Sequence, residues 1–270
     1  MVEPVEVARA EASNKGVVPV ARAMIPHLDK CALLFNIDGT LIDLAATPDS
    51  IVVPTGLREH LDALYRRTSG ALALVSGRSL TDIDGMFAPL HLPAIGGHGA
   101  EARFFRDGIV QHARVPSLAP KLKQRLTALT ALSSGILLED KGYSIALHYR
   151  LAPQAERPIH DAIKAMLAEL PEAPIEVLRG KFVVEVKQQG FSKATAVREL
   201  MTLPPFEGRH PVFLGDDVTD ETVFAIMPDL KGIAFSVGRK TQGVAGHFDS
   251  PSDVRTWLGL LLDEKVAPVK

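Results

Sequence analysis

The clearest regularity in the chain is a short, fully apolar run that ends in a polar loop. Cys31-Ala-Leu-Leu-Phe35 leads into Asn36-Ile-Asp38-Gly39-Thr40, Ala71-Leu-Ala-Leu-Val75 into Ser76-Gly77-Arg78, and Pro211-Val-Phe-Leu214 into Gly215-Asp216-Asp217. Runs without polar alternation are strands buried on both faces, as in a parallel sheet. Pro93-Ala-Ile95, before Gly96-Gly97-His98-Gly99, and Gly232-Ile-Ala-Phe235 extend the set. Between them Leu57, Leu61, Leu64 and Tyr65 recur at helical spacing, and Ser79 with Asp82 has the form of a capping box. Ser192 to Leu203 and Val254 to Leu262 read as amphipathic helices. Strand and helix in alternation predict a parallel sheet with helices on its faces.

The period changes after about residue 115. Leu122, Leu126, Leu129 and Leu132 mark a helix, followed by strands at Ile136–Glu139 and Tyr143–Arg150. A second helix carries Ile159, Ile163, Met166, Leu167 and Leu170, with strands following near Ile175–Val177 and Lys181–Lys187. These strands alternate: Tyr143, Ile145, Leu147 and Tyr149 point one way with Phe182, Val184 and Val186, leaving His148, Arg150, Lys181, Glu185 and Lys187 opposite. The alternation predicts a sheet with one face on its helices and one open polar face suited to recognition. The chain therefore divides into a lead-in over residues 1–28, a discontinuous α/β core over 29–115 and 190–270, and an inserted α/β unit over 116–189.

Composition narrows the function. The 270 residues carry 30 Lys and Arg against 32 Asp and Glu, a near balance that gives no general footprint for nucleic acid or an anionic membrane. The one cysteine, Cys31, lies in an apolar run and reads as core packing. No apolar stretch has the length of a membrane span, and Glu3 and Glu6 replace the basic start of a signal peptide, so a cytoplasmic protein with a small ligand is expected.

In open parallel sheets ligands bind at the carboxyl ends of the strands, so the groups after Phe35, Val75 and Leu214 are expected to converge. Asp38, Asp216 and Asp217 supply hard oxygens suited to Mg²⁺. Ser76 and Thr40 can donate to a phosphoryl oxygen, and Lys193 at a helix start is a cation for the same group. Carboxylates, metal, hydroxyls and lysine are the parts for phosphoryl transfer.

Taken in order, Asn36-x-Asp38-Gly39-Thr40-Leu41, Ser76-Gly77-Arg78, Lys193 and Gly215-Asp216-Asp217-x-Thr219-Asp220-Glu221 resemble the motifs of the haloacid dehalogenase superfamily of phosphatases. Leu138-Glu139-Asp140-Lys141-Gly142, His148-Tyr149-Arg150, Gly180-Lys181 with Glu185, and the turn Gly96 to Ala100 are similar to trehalose-6-phosphate phosphatases. The resemblance implies a Rossmann-like core with a mobile cap, a Mg²⁺ cofactor and trehalose 6-phosphate as substrate. It implies no nucleic-acid or membrane partner, and we expect a monomer. By the same resemblance, Glu139, Lys141, Arg150, Lys181 and Glu185 would hold the disaccharide, with His98 a further candidate contact. The metal would be held by the side chain at position 36, the Asp38 backbone carbonyl and Asp216, with Asp217 either a further ligand or a group just behind the ligands.

One position departs from the family pattern. Where the family has the aspartate that attacks phosphorus, this chain has Asn36. The resemblance makes Asp38 the acid that protonates the leaving sugar oxygen and then activates water. Asn36 is nearly isosteric with aspartate but neutral and a poor nucleophile, so binding is expected to survive where turnover does not. The chain reads either as an otherwise intact phosphatase deliberately changed at one residue, for trehalose 6-phosphate or for another sugar phosphate, or as a natural non-catalytic sugar-phosphate-binding homologue. Asp220 and Glu221 are read equally as groups orienting Lys193 or a metal-bound water and as first-turn helix carboxylates, and Arg78 either as reaching the active site or as a salt bridge to a neighbouring loop, the structural role being slightly favoured.

Overall fold

The computed structural model describes residues 25, 27–45, 51–112 and 115–263, so most of the lead-in lies outside the described residues. Numbered in chain order, the core strands are β1 (Cys31–Phe35), β2 (Leu72–Val75), β3 (Ala94–Gly96), β4 (Glu101–Arg103), β5 (Gln111–His112), β10 (His210–Gly215), β11 (Ile233–Val237) and β12 (Gly246–Phe248). They form one sheet in the order β12-β11-β10-β1-β2-β3-β4-β5. Pairing is parallel from β12 to β3 and antiparallel from β3 to β5.

Side chains of the central strand go alternately to two cores. Cys31, Leu33 and Phe35 pack with Leu57, Leu61 and Leu64 of α1 (Leu57–Arg67), Ile83 and Phe87 of α2 (Leu80–Phe87), and Trp257 and Leu258 of α7 (Pro251–Leu262). Ala32 and Leu34 pack with Val197 and Leu200 of α5 (Lys193–Leu200) and Val223 and Phe224 of α6 (Val218–Ile226). Apolar demand on both faces explains the unbroken hydrophobic run of β1, all of whose residues are buried. Strands β4, β5 and β12 are short and largely polar or glycine-containing, so the hydrophobic pattern does not reveal them.

Between β5 and β10 lies the cap. It comprises α3 (Pro120–Ala128), β6 (Leu137–Asp140), β7 (Ser144–His148), α4 (Glu156–Ala168), β8 (Ile175–Gly180) and β9 (Val183–Gln188), with an antiparallel sheet ordered β6-β7-β9-β8. Ile145, Leu147, Tyr149, Val184 and Val186 face Leu122, Leu126, Ile159, Ile163 and Met166 of the two helices, as the alternation predicts. The opposite face is not open. It carries Glu139, Ala146, Glu185 and Leu178 in one cross-strand row, and Glu185 is only 5% exposed because this face is turned onto the core. Sequence periodicity reports a polar face but not what covers it. Lys181 also departs from expectation: it is exposed in the turn between β8 and β9, where Phe182 at φ 63° breaks the alternation. Among the described residues no helix is long and apolar enough to cross a membrane.

Candidate active site

The site begins in the turn after β1. The Ile37 carbonyl accepts from the amides of Thr40, Leu41 and Ile42, folding the chain back so that Asn36, Asp38 and Thr40 stand at the strand end. Gly39 sits at φ 72°, and a Cβ there would lie 2.0 Å from Asp216 Oδ2, so glycine is required both by conformation and by space. Asp216 arrives from β10, the parallel neighbour of β1. Asn36 Nδ2 donates to Asp216 Oδ1 at 2.7 Å, to the Asp38 carbonyl at 2.9 Å and to Thr40 Oγ1 at 3.4 Å. Thr40 Oγ1 itself donates to Asp216 Oδ1 at 3.0 Å.

Lys193 closes the other side. Ser192 caps α5, which sets Lys193 at the first position of the helix with its ammonium 3.2 Å from Asn36 Oδ1 and 2.7 Å from Asp220 Oδ1. Asp220 is fully buried; its Oδ2 accepts the backbone amides of Asp216 and Asp217, so it both orients Lys193 and serves the first turn of α6. Burial, with Asp220 nearby, pushes the Asp216 carboxyl up to about 7 against the opposing pull of Lys193 and Thr40. Glu221 pairs with Arg239, whose Nε donates to the Asp216 carbonyl.

On the β2 side, Ser76 is buried and its Oγ accepts the Arg78 amide at 3.1 Å. Arg78 is a site residue and not merely a loop tie. Its Nε and Nη2 hold both oxygens of Asp38, at 2.7 and 3.0 Å. The spacing Asp38…Arg78 carries no signal of this pairing; the adjacency of β1 and β2 creates it.

Above this rim the cap presents a charged cluster. Lys141 Nζ donates to the Gly77 carbonyl of the core at 2.9 Å and lies 3.5 Å from Glu185 and 3.7 Å from Glu139. His98 reaches across from the core to Glu185 Oε2 at 3.1 Å, and His148 lies 3.2 Å from Glu139. Burial acts to raise both carboxyls, but Lys141 and His98 hold Glu185 far below its usual range, and His148 and Lys141 lower Glu139. Arg150 stacks on Phe182 and donates to the Lys181 carbonyl, and both sit at the turn where Gly180 meets Asp217.

The His98–Glu185 pair and the Lys141 hydrogen bond to Gly77 join cap to core, and Glu185 sets a pH dependence. Because the folded pKa of Glu185 is depressed below its unfolded value of about 4.3, its contribution is complete above that pH and fades as the pH falls below it. Glu185→Gln is therefore expected to cost about 3 kcal/mol and about 6–12 °C in Tm at pH 7. In thermal melts against pH, the gap from the native chain should narrow below pH about 4.

Asp38 O and Asp216 Oδ1 converge on one point, as hard oxygens around a divalent cation would, but the atom between them is Asn36 Nδ2. Asp217 does not join them: its Oδ1 caps α6 and its Oδ2 faces Gly180. Among the described residues no three His, Cys, Asp or Glu side chains group as a metal site. A cation here would depend on the Asp38 backbone carbonyl and on rotation of the Asn36 amide.

Residues 34–254 match the family model for trehalose-phosphatase. The chain belongs to the trehalose-phosphatase family. It is 42% identical over 217 residues to a probable trehalose-phosphate phosphatase of Sinorhizobium fredii, covering 80% of this chain and 81% of that protein. With the trehalose-6-phosphate phosphatase of Escherichia coli K12 it shares 37% over 233 residues, 86% of each chain. In fold it is similar to the C-terminal domain of Candida albicans trehalose-6-phosphate phosphatase (TM-score 0.78, 22% identity, 87% of this chain and 92% of that one). A haloacid dehalogenase-like hydrolase from Bacillus subtilis aligns with a TM-score of 0.59 at 12% identity, over 87% of this chain and 100% of that one.

As a trehalose-phosphatase, the chain is placed among phosphomonoester hydrolases of the haloacid dehalogenase superfamily, which generally use a divalent metal. The structure brings Asn36, Asp38, Thr40, Lys193 and Asp216 into one hydrogen-bonded group, with Ser76 joined to it through Arg78. It brings Glu139, Lys141, Glu185 and His98 into a second group directly above.

Proposed function

We propose that the chain binds trehalose 6-phosphate between core and cap, the phosphate at the rim of the parallel sheet and the disaccharide under the cap. The observation that carries this reading is the pair of clusters joined by Lys141 and His98: one suited to a phosphoryl group, the other to hydroxyls. Within the second, His98 Nδ1 is buried without a partner, and so is the hydroxyl of Tyr143, which lies against Gly97 beside it; sugar hydroxyls would supply both. Lys193, Ser76 and Thr40 hold phosphoryl oxygens, and Arg150 and Lys181 guard the entrance. A divalent cation such as Mg²⁺ would have the Asp38 carbonyl, Asp216 and the Asn36 amide oxygen as its nearest candidate ligands, with Asp217 beside them, and would supply neutralisation of phosphoryl charge.

With a carboxylate at position 36, Asp38 would give a proton to the leaving sugar oxygen, and for that one of its oxygens would leave Arg78. The aspartyl-phosphate route of the family needs a carboxylate where Asn36 stands, so the native chain holds its ligand with little or no turnover. Cap closure excludes water and leaves specificity to the cap and chemistry to the core. The chain acts as a cytoplasmic monomer on a small phosphorylated sugar.

Calorimetric titration of the native chain tests the reading. Trehalose 6-phosphate is expected to bind at least about a hundredfold more tightly than trehalose or inorganic phosphate alone, since both clusters engage one ligand. Arg150→Ala is expected to weaken the disaccharide phosphate about tenfold or more while leaving inorganic phosphate unchanged. Equal losses for both ligands would remove Arg150 from sugar recognition.

A further inference from the structure

Every polar atom of the Asn36 side chain is engaged, and the pattern fixes which way round the amide stands. Lys193 can only donate, so the atom 3.2 Å from its ammonium is the amide oxygen. The NH₂ group therefore faces Asp216 Oδ1 at 2.7 Å, an oxygen that also accepts from Thr40, and the Asp38 carbonyl at 2.9 Å. Asp216 cannot retreat on its other side, because its carboxylate is pressed against the backbone of Gly39. The amide thus supplies, from within the chain, the positive hydrogens that two converging oxygens would otherwise draw from a cation.

To ligate a cation, the amide must turn over. Its oxygen then serves the metal, but its NH₂ meets the Lys193 ammonium, donor against donor, and the bonds to Asp216 and Asp38 are lost. An aspartate has no such conflict, since both oxygens accept: one from Lys193, one toward the metal. Without metal, however, that second oxygen would face Asp216 Oδ1 across the short distance now bridged by Nδ2, carboxylate against carboxylate.

We infer that Asn36 Nδ2 stands in for the divalent cation, so that the native chain assembles its phosphate site without metal and binds divalent ions only weakly. The inference rests on the proposed function for the identity of the ligand and on Asn36 alone for the cation. Titration with MgCl₂ alone, without sugar or phosphate, therefore separates the two: it can fail while trehalose 6-phosphate still binds, and the reverse.

The test compares the chelator-stripped native chain with Asn36→Asp and Asn36→Ala, by calorimetry and by thermal melts across MgCl₂. The native chain is expected to show less than about 1 °C of Mg²⁺-dependent change in Tm. Asn36→Asp is expected to melt lower than native without metal, to gain about 5–10 °C at a hundredfold excess over its dissociation constant, and to bind Mg²⁺ on the order of a hundredfold more tightly than native. Asn36→Ala adds no charge but removes the blocking NH₂, and it is expected to respond to Mg²⁺ more than the native chain does. Native affinity within about tenfold of that of Asn36→Asp would overturn the inference. So would an Asn36→Ala chain no more responsive than native, since the amide would then be a missing charge and not a substitute cation.

Discussion

Asn36→Asp is expected to raise metal-dependent phosphate release from trehalose 6-phosphate by about 10³-fold or more, the scale on which removing a covalent nucleophile lowers kcat. The expectation is large because one group is missing and its supports are in place. Lys193 is already aimed at the side chain of residue 36, Asp220 fixes Lys193, Thr40 and Asp216 complete the rim, and Asp38 is ordered by Arg78. The native amide is too poor a nucleophile to attack phosphorus and cannot form the acyl phosphate that water would then hydrolyse. Phosphate release with and without Mg²⁺, together with trapping of the aspartyl-phosphate, measures the effect. A rate unchanged on every sugar phosphate tried would identify the chain as a binding protein whose other site residues no longer support chemistry.

The second large effect concerns stability. Asp220 has no exposure and Lys193 almost none, and their pair is embedded where α5, α6 and β10 meet. Asp220→Ala leaves a buried ammonium with only the neutral Asn36 oxygen and strips the acceptor from the amides of Asp216 and Asp217. Breaking a buried pair on one side costs about 3–5 kcal/mol, so Tm should fall by about 6–20 °C. Adding Lys193→Met to Asp220→Ala removes the uncompensated charge and should recover a good part of that loss in denaturant unfolding. A double variant as unstable as the single one would mean that the lost backbone acceptor, and not the stranded charge, dominates.

Much of this architecture is written in local pattern. An unbroken apolar run such as β1 has no stable solution except burial on both faces, and the alternation in β7 and β9 has none except one apolar face on helices, so both sheets follow from hydrophobic demand alone. Asn36, Asp38, Thr40, Ser76, Lys193 and Asp216 were legible because they follow buried strands or open a helix, the places where such sheets bind ligands. The sequence could not show that Arg78 grips Asp38, that Glu185 lies buried against His98, or that Lys181 leaves the strand face. Nor could it show which way the Asn36 amide points. The first group depends on neighbours within a few residues, whose spacing the chain itself carries. The second depends on which strand lies beside which and on how cap meets core. Those contacts form between segments tens to nearly two hundred residues apart, and only the folded chain brings their charges within hydrogen-bonding reach.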